Sequence, residues 1–310
     1  MAEEVRQEDA DTSAEGSGWF GESAPVPFWG PMAIKFLKLN RIPRHIAFIM
    51  DGNRRYAHSN NMGSVVKGHF RGFDQLTKVL DWCNQLGVRE ITCYAFSIEN
   101  FKRSKEEVDG LLQMAEQKFT RLLEEKEKLA ERQVKFRFFG NLDRLPTKLQ
   151  CLMAEIELYT KDFDRAFLNV CLSYTSQDEI VRGMEKIRQA KNDGIIQEED
   201  ITEDLLNHSL DTGSSLPVDM LIRTSGEKRL SDFLLWQTST KECFLHFDDV
   251  LWPDFDFPHL FKAILRYQMH VITQGIVEQK VKETETIRRF REYQQTLRHQ
   301  KWEQLLAQQA

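Results

Sequence analysis

The chain has 310 residues and a formal net charge of -6, room for one large α/β domain or two small ones. That balance argues against general nucleic-acid binding, so an anionic substrate has to be met by local arginine clusters. Five cysteines, odd in number and without a C-x-x-C, read as reduced core thiols of a cytosolic protein, which disfavours disulfides and a zinc site.

Residues 1–27 are acidic and small-polar at first and are expected to form a disordered tail. They lack the basic start and long apolar core of a secretory signal, and no stretch of the chain is apolar enough to span a bilayer. A short apolar segment with lysines follows, from Phe28 to Leu39. It suits a membrane interface, the wall of a hydrophobic groove, or simple packing on its own domain. Residues 28–270 are expected to form one domain, and 271–310 a charged, Gln-rich helical extension or partner-binding arm.

The first strand runs through Ile46, Ala47, Phe48, Ile49 and Met50 straight into Asp51, Gly52, Asn53, Arg54 and Arg55. A buried strand ending this way delivers its polar groups to the rim of a sheet, where α/β proteins place ligands. Gly52 permits a sharp turn, Asp51 suits a divalent cation, and the two arginines suit phosphate oxygens. A carboxylate at a strand end contributes little to packing, so Asp51→Ala is expected to leave the fold intact.

His69 follows a glycine-containing loop, and a helix is expected over 70–87, with Phe73, Leu76, Leu80 and Cys83 on its apolar face. A second strand, 90–97, ends in Ser97, Glu99, Asn100, Lys102 and Arg103. Ser104 and Glu107 form a capping box for a long helix whose charged continuation reaches 132. Further strands are expected at 134–139, 167–174, 218–222 and 244–247, with a helix capped by Ser176 and Glu179 after the fourth. The fifth strand delivers Arg223, and Arg229 and Ser231 follow it. Strands alternating with helices predict an α/β fold: a mainly parallel six-stranded sheet covered by helices on both faces, with a C-terminal helical extension.

Three strand ends thus bring Asp51 and two arginine sets towards one rim. That pattern suits two phosphorylated ligands and a metal ion, since arginine forks bind phosphate by paired charge-assisted hydrogen bonds. Other phosphate motifs fail: residues 63–69 have P-loop glycine spacing, but His69 and Phe70 stand where Lys and Ser/Thr are required.

The segments around His45–Arg55, Gly68-His69, Tyr94–Phe101, Ile222–Glu227 and Arg229–Gln237 resemble the cis-prenyltransferases, in particular the catalytic subunits of eukaryotic dehydrodolichyl diphosphate synthases. The resemblance runs from about His45 to Phe261. It implies Mg²⁺-dependent, repeated condensation of isopentenyl diphosphate onto farnesyl diphosphate, for dolichol synthesis and protein glycosylation. It further implies that Asp51 positions Mg²⁺, and that Ser97 and Asn100 lie beside the reacting carbons. Gly52, Asn53, Arg54, Arg55, His69 and Arg103 would hold the allylic diphosphate; Arg223, Arg229 and Ser231 would hold isopentenyl diphosphate. Val65 stands where the family often has Arg. The family's metal-binding Glu after the Leu-Leu-Trp-Gln segment falls ambiguously, on Glu242 or Phe244 according to the direction of counting. The terminal Arg-x-Gly of homodimeric members has no counterpart, the last glycine being Gly275. The resemblance therefore implies a heteromer with a Nogo-B-receptor-like subunit, peripheral on the cytoplasmic face of the endoplasmic reticulum. A binding-only subunit of the same fold would have lost the Asp and Arg motifs, and a phosphatase would carry a nucleophile signature.

Overall fold

The structure, a computed structural model, describes residues 18–20, 23–239, 243–274 and 283–308. Strand β1 (His45–Ile49) is buried along its whole length, as its unbroken apolar run requires. Around it stand β2 (Glu90–Ser97), β3 (Val134–Phe139), β4 (Ala166–Tyr174), β5 (Met220–Arg223) and β6 (Phe244–Phe247). They form one sheet in the order β3-β4-β2-β1-β5-β6. Every pairing is parallel, so the expected six-stranded sheet is parallel throughout. The central three strands, β2, β1 and β5, end side by side on one rim. Those are the three strands whose ends carry the candidate residues.

Alternate residues of β1 enter different cores. Ile46 and Phe48 join the main cluster with Phe73, Leu76, Val79 and Cys83. Ala47 and Ile49 join a smaller one with Tyr174, Leu221, Phe233 and Leu234. This is the two-residue period of a strand buried on both faces.

The helices are α1 (Gly30–Leu37), α2 (Asn53–Ser59), α3 (Val65–Leu86), α4 (Lys105–Glu124), α5 (Lys126–Arg132), α6 (Thr147–Thr160), α7 (Ser176–Asn192), α8 (Glu203–Ser209), α9 (Leu235–Ser239), α10 (Phe257–Gln274) and α11 (Glu285–Ala307). Three depart from the sequence reading. Helix α3 begins at Val65, because Ser64 caps it by accepting a hydrogen bond from the Val66 N–H. His69 therefore sits within the helix, not just ahead of it. Helix α7 is capped by Thr175, whose hydroxyl accepts from the Asp178 N–H, while Glu179 is buried. The α4 helix stops at Glu125 before the short α5 resumes, so the charged continuation is not one straight rod.

The C-terminal extension is helical as expected, but both ends of the chain pack on the body more than the sequence reading has them do. Trp19, assigned to a disordered tail, is buried against Phe73, Phe119 and Phe136, and its indole N–H donates to the Lys118 carbonyl at 2.7 Å. The earlier part of that tail lies outside the described residues. At the other end α11 docks on the body. Its Ile287 and Phe290 pack with Ile187, Ala190 and Ile196. Arg298 donates to both Glu157 carboxylate oxygens at 2.8 and 2.7 Å, and the Trp302 indole donates there at 2.6 Å. Those side chains are used internally and are not available to a free arm.

Helix α1 buries Ala33 and Leu37, with Trp29 against Phe257 and Phe261, and leaves Phe28, Met32, Phe36 and Leu39 exposed. No helix among the described residues is long and apolar enough to cross a membrane. All five cysteines are free, four of them buried.

Candidate active site

The turn after β1 is held open by Gly52, whose φ of 113° lies in the left-handed region and where a Cβ would come within 3.1 Å of the Leu251 backbone. Glycine is required there. The Gly52 N–H donates to Asp51 Oδ1 at 2.8 Å. On the neighbouring strand end, the Thr224 hydroxyl donates to the Asp51 carbonyl at 2.7 Å. Arg223 Nη2 donates to Asp51 Oδ2 at 2.7 Å. The Arg223 side chain is 3% exposed and Asp51 34%, so Asp51 neutralises a buried guanidinium. The expectation that Asp51 is structurally silent is thereby corrected: its removal would strand a buried charge.

Around Asp51 the cations separate into two clusters. On the β5 side, Arg223 Nη1 donates to the Ser231 hydroxyl at 2.7 Å and to the Arg229 carbonyl. Arg55 donates to the Ser225 hydroxyl and lies 3.8 Å from Glu227, which also pairs with Arg229. Ser225, Ser231, Asp232 and Leu234 have φ of 81°, 51°, 57° and 49°, values non-glycine residues rarely adopt and that concentrate at ligand sites. On the α3–α4 side, Glu107 gathers Arg103 at 2.7 Å and Arg54 at 3.9 Å. Arg54 and Arg55 are adjacent in sequence yet belong to different clusters. The resemblance grouped both with the allylic set.

His69 faces the same Glu107 across 3.9 Å. It is brought in by two close approaches: a Cβ at Gly68 would lie 2.3 Å from the Asn53 carbonyl, and one at Gly72 2.3 Å from the Asn53 side-chain oxygen. Helix α3 thus sits directly on the start of α2. Burial, with help from Arg103 and Arg54, lowers the His69 pKa to about 4. The ring is neutral near pH 7, so the approach to Glu107 is not an ion pair. Asn53 Nδ2 lies 3.4 Å from His69 Nδ1. An amide NH₂ can only donate, so Nδ1 is the acceptor and Nε2 carries the proton. That Nε2 is buried with no partner among the described residues, a donor left waiting for an acceptor.

Ser97 and Asn100 form a reciprocal cap at the end of β2. The Ser97 hydroxyl accepts from the Glu99 N–H at 3.2 Å, and the Asn100 side-chain oxygen accepts from the Ser97 N–H at 2.9 Å. The cap fixes both beside the rim and leads into Arg103. Sequence reading gave Glu107 only a capping role, and placed Thr224, Ser225 and Glu227 at the end of β5 without assigning them a part in the site. Glu107 had been assigned to a capping box, but only half of the box forms: the Ser104 hydroxyl accepts from the Glu107 N–H, while the carboxylate turns to Arg103. Glu242 lies outside the described residues.

A family model described as undecaprenyl diphosphate synthase (Prenyltransf) matches residues 49–275. The chain belongs to the cis-prenyltransferase family. It is 49% identical over 252 residues to the dehydrodolichyl diphosphate synthase complex subunit DHDDS of Homo sapiens, covering 81% of this chain and 74% of that protein. It is 41% identical over 258 residues to the corresponding complex subunit of Schizosaccharomyces pombe, covering 82% and 97%. Among solved structures, lavandulyl diphosphate synthase from Lavandula x intermedia, in complex with dimethylallyl diphosphate, superimposes with a TM-score of 0.66 at 32% identity, covering 73% of this chain and 95% of that one. The protein is a transferase of the prenyl diphosphate class, and its parallel sheet is the family's fold.

Proposed function

We propose that this chain is the catalytic subunit of a long-chain cis-polyprenyl diphosphate synthase that adds isopentenyl diphosphate repeatedly to farnesyl diphosphate in dolichol synthesis. The observation that carries the reading is the pair of cation clusters on either side of Asp51, with the unpartnered His69 Nε2 3.9 Å from the Glu107 that gathers Arg103 and Arg54. One cluster suits the allylic diphosphate: Arg54, Arg103, His69 and the backbone at Gly52 and Asn53. The other suits isopentenyl diphosphate: Arg223, Arg229 and Ser231, joined by Arg55 and Ser225.

Among the described residues, no three His, Cys, Asp or Glu side chains gather as a metal cage. A Mg²⁺ ion asks for less, one or two carboxylates plus substrate phosphates. The partly exposed Asp51 carboxylate, between the two clusters, fits that donor set. Bound there, Mg²⁺ would supply charge to stabilise the departing diphosphate. The chain's own residues do the rest. Arg54 and Arg103 meet the oxygens on which charge develops, and preorganised donors are most effective where the site excludes water. The second cluster holds the other diphosphate so that its alkene lies close to the allylic carbon, a gain from proximity. Ser97 and Asn100, fixed at the end of β2, stand beside the reacting carbons.

The printed names of the human and yeast relatives call each a complex subunit. This supports assembly with a second, Nogo-B-receptor-like subunit. The exposed apolar stripe of α1, flanked by Lys35 and Lys38, supports peripheral attachment to the cytoplasmic face of the endoplasmic reticulum. The test is incorporation of radiolabelled isopentenyl diphosphate into polyprenyl product, with and without that subunit and with and without Mg²⁺. Product formation that depends on farnesyl diphosphate is expected. No incorporation under any of these conditions would refute the assignment.

A further inference from the structure

Behind Asp51 and the turn after β5 runs a stretch of backbone, residues 248–252, that leaves β6 and meets two strand ends of the rim. The Asp248 N–H donates to the Arg223 carbonyl at 2.9 Å, and the Asp248 carbonyl accepts from the Gly226 N–H at 2.9 Å. The Val250 carbonyl accepts from the Ser225 N–H at 2.7 Å, and the Trp252 N–H donates to the Asp51 carbonyl at 3.0 Å. Between these last two, Leu251 packs against Gly52.

The contact to Ser225 bears most directly on the cations. Ser225 holds a left-handed φ of 81°, a conformation that costs a non-glycine residue free energy and persists only where its surroundings fix it. Its N–H is fixed by Val250, and its hydroxyl accepts from Arg55. The direction of the half-exposed Arg55 side chain thus depends on where Val250 holds Ser225.

What places Val250 is the side chain of Asp248. Its Oδ1 accepts from the Val250 N–H at 3.2 Å, the two-residue reach of an Asx turn. That turn bends the chain as it leaves β6 and presents the Val250 carbonyl to Ser225. The Asp248 side chain is 6% exposed, and its Oδ2 is buried with no hydrogen bond among the described residues. This oxygen faces His246 Nε2 at 3.5 Å and Lys262 Nζ of α10 at 3.8 Å. Burial opposes ionisation of Asp248, but the Val250 N–H, the charges of His259 and Lys262 and the facing His246 hold its carboxyl below the usual carboxylate range. His246 is itself kept neutral near pH 7 by burial, which lowers its pKa against the pull of Asp248. The carboxylate stays charged and keeps its acceptor for Val250.

We propose that Asp248 is a positioning residue for the diphosphate site on the β5 side. Its Asx turn aims the Val250 carbonyl at the Ser225 N–H and so holds Ser225, and through it Arg55. The inference rests on the reading of that cluster as the isopentenyl diphosphate site. Asp248 lies behind the cluster and acts on the substrate through Val250 and Ser225.

The test is steady-state kinetics on the full chain in its active assembly, each substrate varied at saturation of the other, with the fold of each variant checked by circular dichroism. Asp248→Ala removes the turn. It is expected to raise the KM for isopentenyl diphosphate about ten-fold, the size of one weakened charge-assisted contact, with kcat and the KM for farnesyl diphosphate nearly unchanged. Asp248→Asn keeps the oxygen that accepts from Val250 and is expected to restore most of the wild-type KM. Asp248→Ser, whose hydroxyl makes a weaker turn, should fall between the two and serves should Asp248→Ala fold poorly. Lys262→Met leaves the turn intact and is expected to change neither KM. The double variant Asp248→Ala/Ser225→Ala should be no worse than the worse single variant, because both break one chain of contacts. Multiplied effects in the double variant, an Asp248→Asn protein as impaired as Asp248→Ala, or an unimpaired Asp248→Ala beside an impaired Ser225→Ala would each overturn the positioning role alone. If Ser225→Ala and Arg229→Ala both leave the isopentenyl KM unchanged, the assignment of the cluster falls instead.

Discussion

The pairing of Asp51 with Arg223 makes a prediction that sequence alone reverses. Arg223 is 3% exposed and Asp51 34%, at 2.7 Å. Breaking a fully buried pair by removing one partner costs about 3–5 kcal/mol, whereas exposed pairs are worth about 0–1 kcal/mol. A pair with one end buried and the other a third exposed falls between, so Asp51→Ala is expected to destabilise the fold by about 2 kcal/mol. Most of that loss is the stranded guanidinium, whose Nε is already buried without a partner among the described residues. Replacing Arg223 as well, in Asp51→Ala/Arg223→Met, strands no charge and should recover at least half of the loss. Urea unfolding followed by circular dichroism gives the stabilities, and isopentenyl incorporation gives the activities. Both variants are expected to be inactive; only the single one is expected to be markedly less stable. An Asp51→Ala protein as stable as wild type, or a double variant that loses the sum of the two single losses, would refute the reasoning.

Arg229→Ala should weaken isopentenyl diphosphate and Arg103→Ala the allylic substrate, each by about 1.5–3 kcal/mol for a lost charge-assisted contact; equal weakening of both substrates in both variants would dissolve the two-site division. His69, with its pKa lowered from 6.5 to about 4, resists a proton that the unfolded chain accepts at 6.5. Its contribution to stability is therefore fully present above pH 6.5 and is lost as pH falls from there to 4, by about 3 kcal/mol at most. His69→Gln should flatten that part of the stability–pH curve, and an unchanged slope would contradict the neutral, buried ring. Ala115 is half-buried on the apolar side of α4 with Leu111, Leu112, Phe119 and Leu122. If the growing chain lies along that side, Ala115→Trp should shorten the product at a stability cost of about 1–3 kcal/mol from overpacking; the same product distribution in an active variant would refute the channel.

Much of the fold is legible in the sequence because the sheet is buried on both faces. Such strands are near-continuous apolar runs, and the runs at 46–50, 90–97 and 134–139 locate β1, β2 and β3 to within a residue. Their polar ends are legible for the same reason: nothing apolar can follow at the rim. What the sequence hides depends on which of two equivalent uses a residue finds. Ser64 and Val65 look like loop, since β-branched residues have low helix propensity, yet the Ser64 cap starts α3 five residues early and puts His69 on a helix. Ser176 with Glu179 has the spacing of a cap, and Thr175 with Asp178 has it equally. Only the buried position of Glu179 beside Tyr174 and Gln237 decides between them. Trp19 carries no periodicity, so its place among Phe73, Phe119 and Phe136 is set entirely by residues some fifty to a hundred and twenty positions away.

Glu107 and Glu227 have an electrostatic role that sequence spacing does not reveal: each pairs with a nearby arginine, Arg103 or Arg229, and also faces an arginine from the turn after β1, Arg54 or Arg55. In each cluster one arginine is fixed and another is loosely held. Arg103 and Arg223, with side chains 22% and 3% exposed, make 2.7 Å contacts to Glu107 and Asp51. Arg54 and Arg55, both more than half exposed, approach Glu107 and Glu227 only to 3.9 and 3.8 Å, and Arg55 is otherwise tied by its donation to the Ser225 hydroxyl. At that separation a guanidinium gains charge neutralisation without a full hydrogen bond, so turning to a diphosphate exchanges a weak contact for a strong bidentate one. The fixed member keeps the geometry of the cluster, and the loose member adapts to the ligand. Glu107→Gln and Glu227→Gln would remove the neutralising charge while preserving shape. On this division of labour each should tighten diphosphate binding at the expense of the ligand-free fold, and each should act on its own cluster alone.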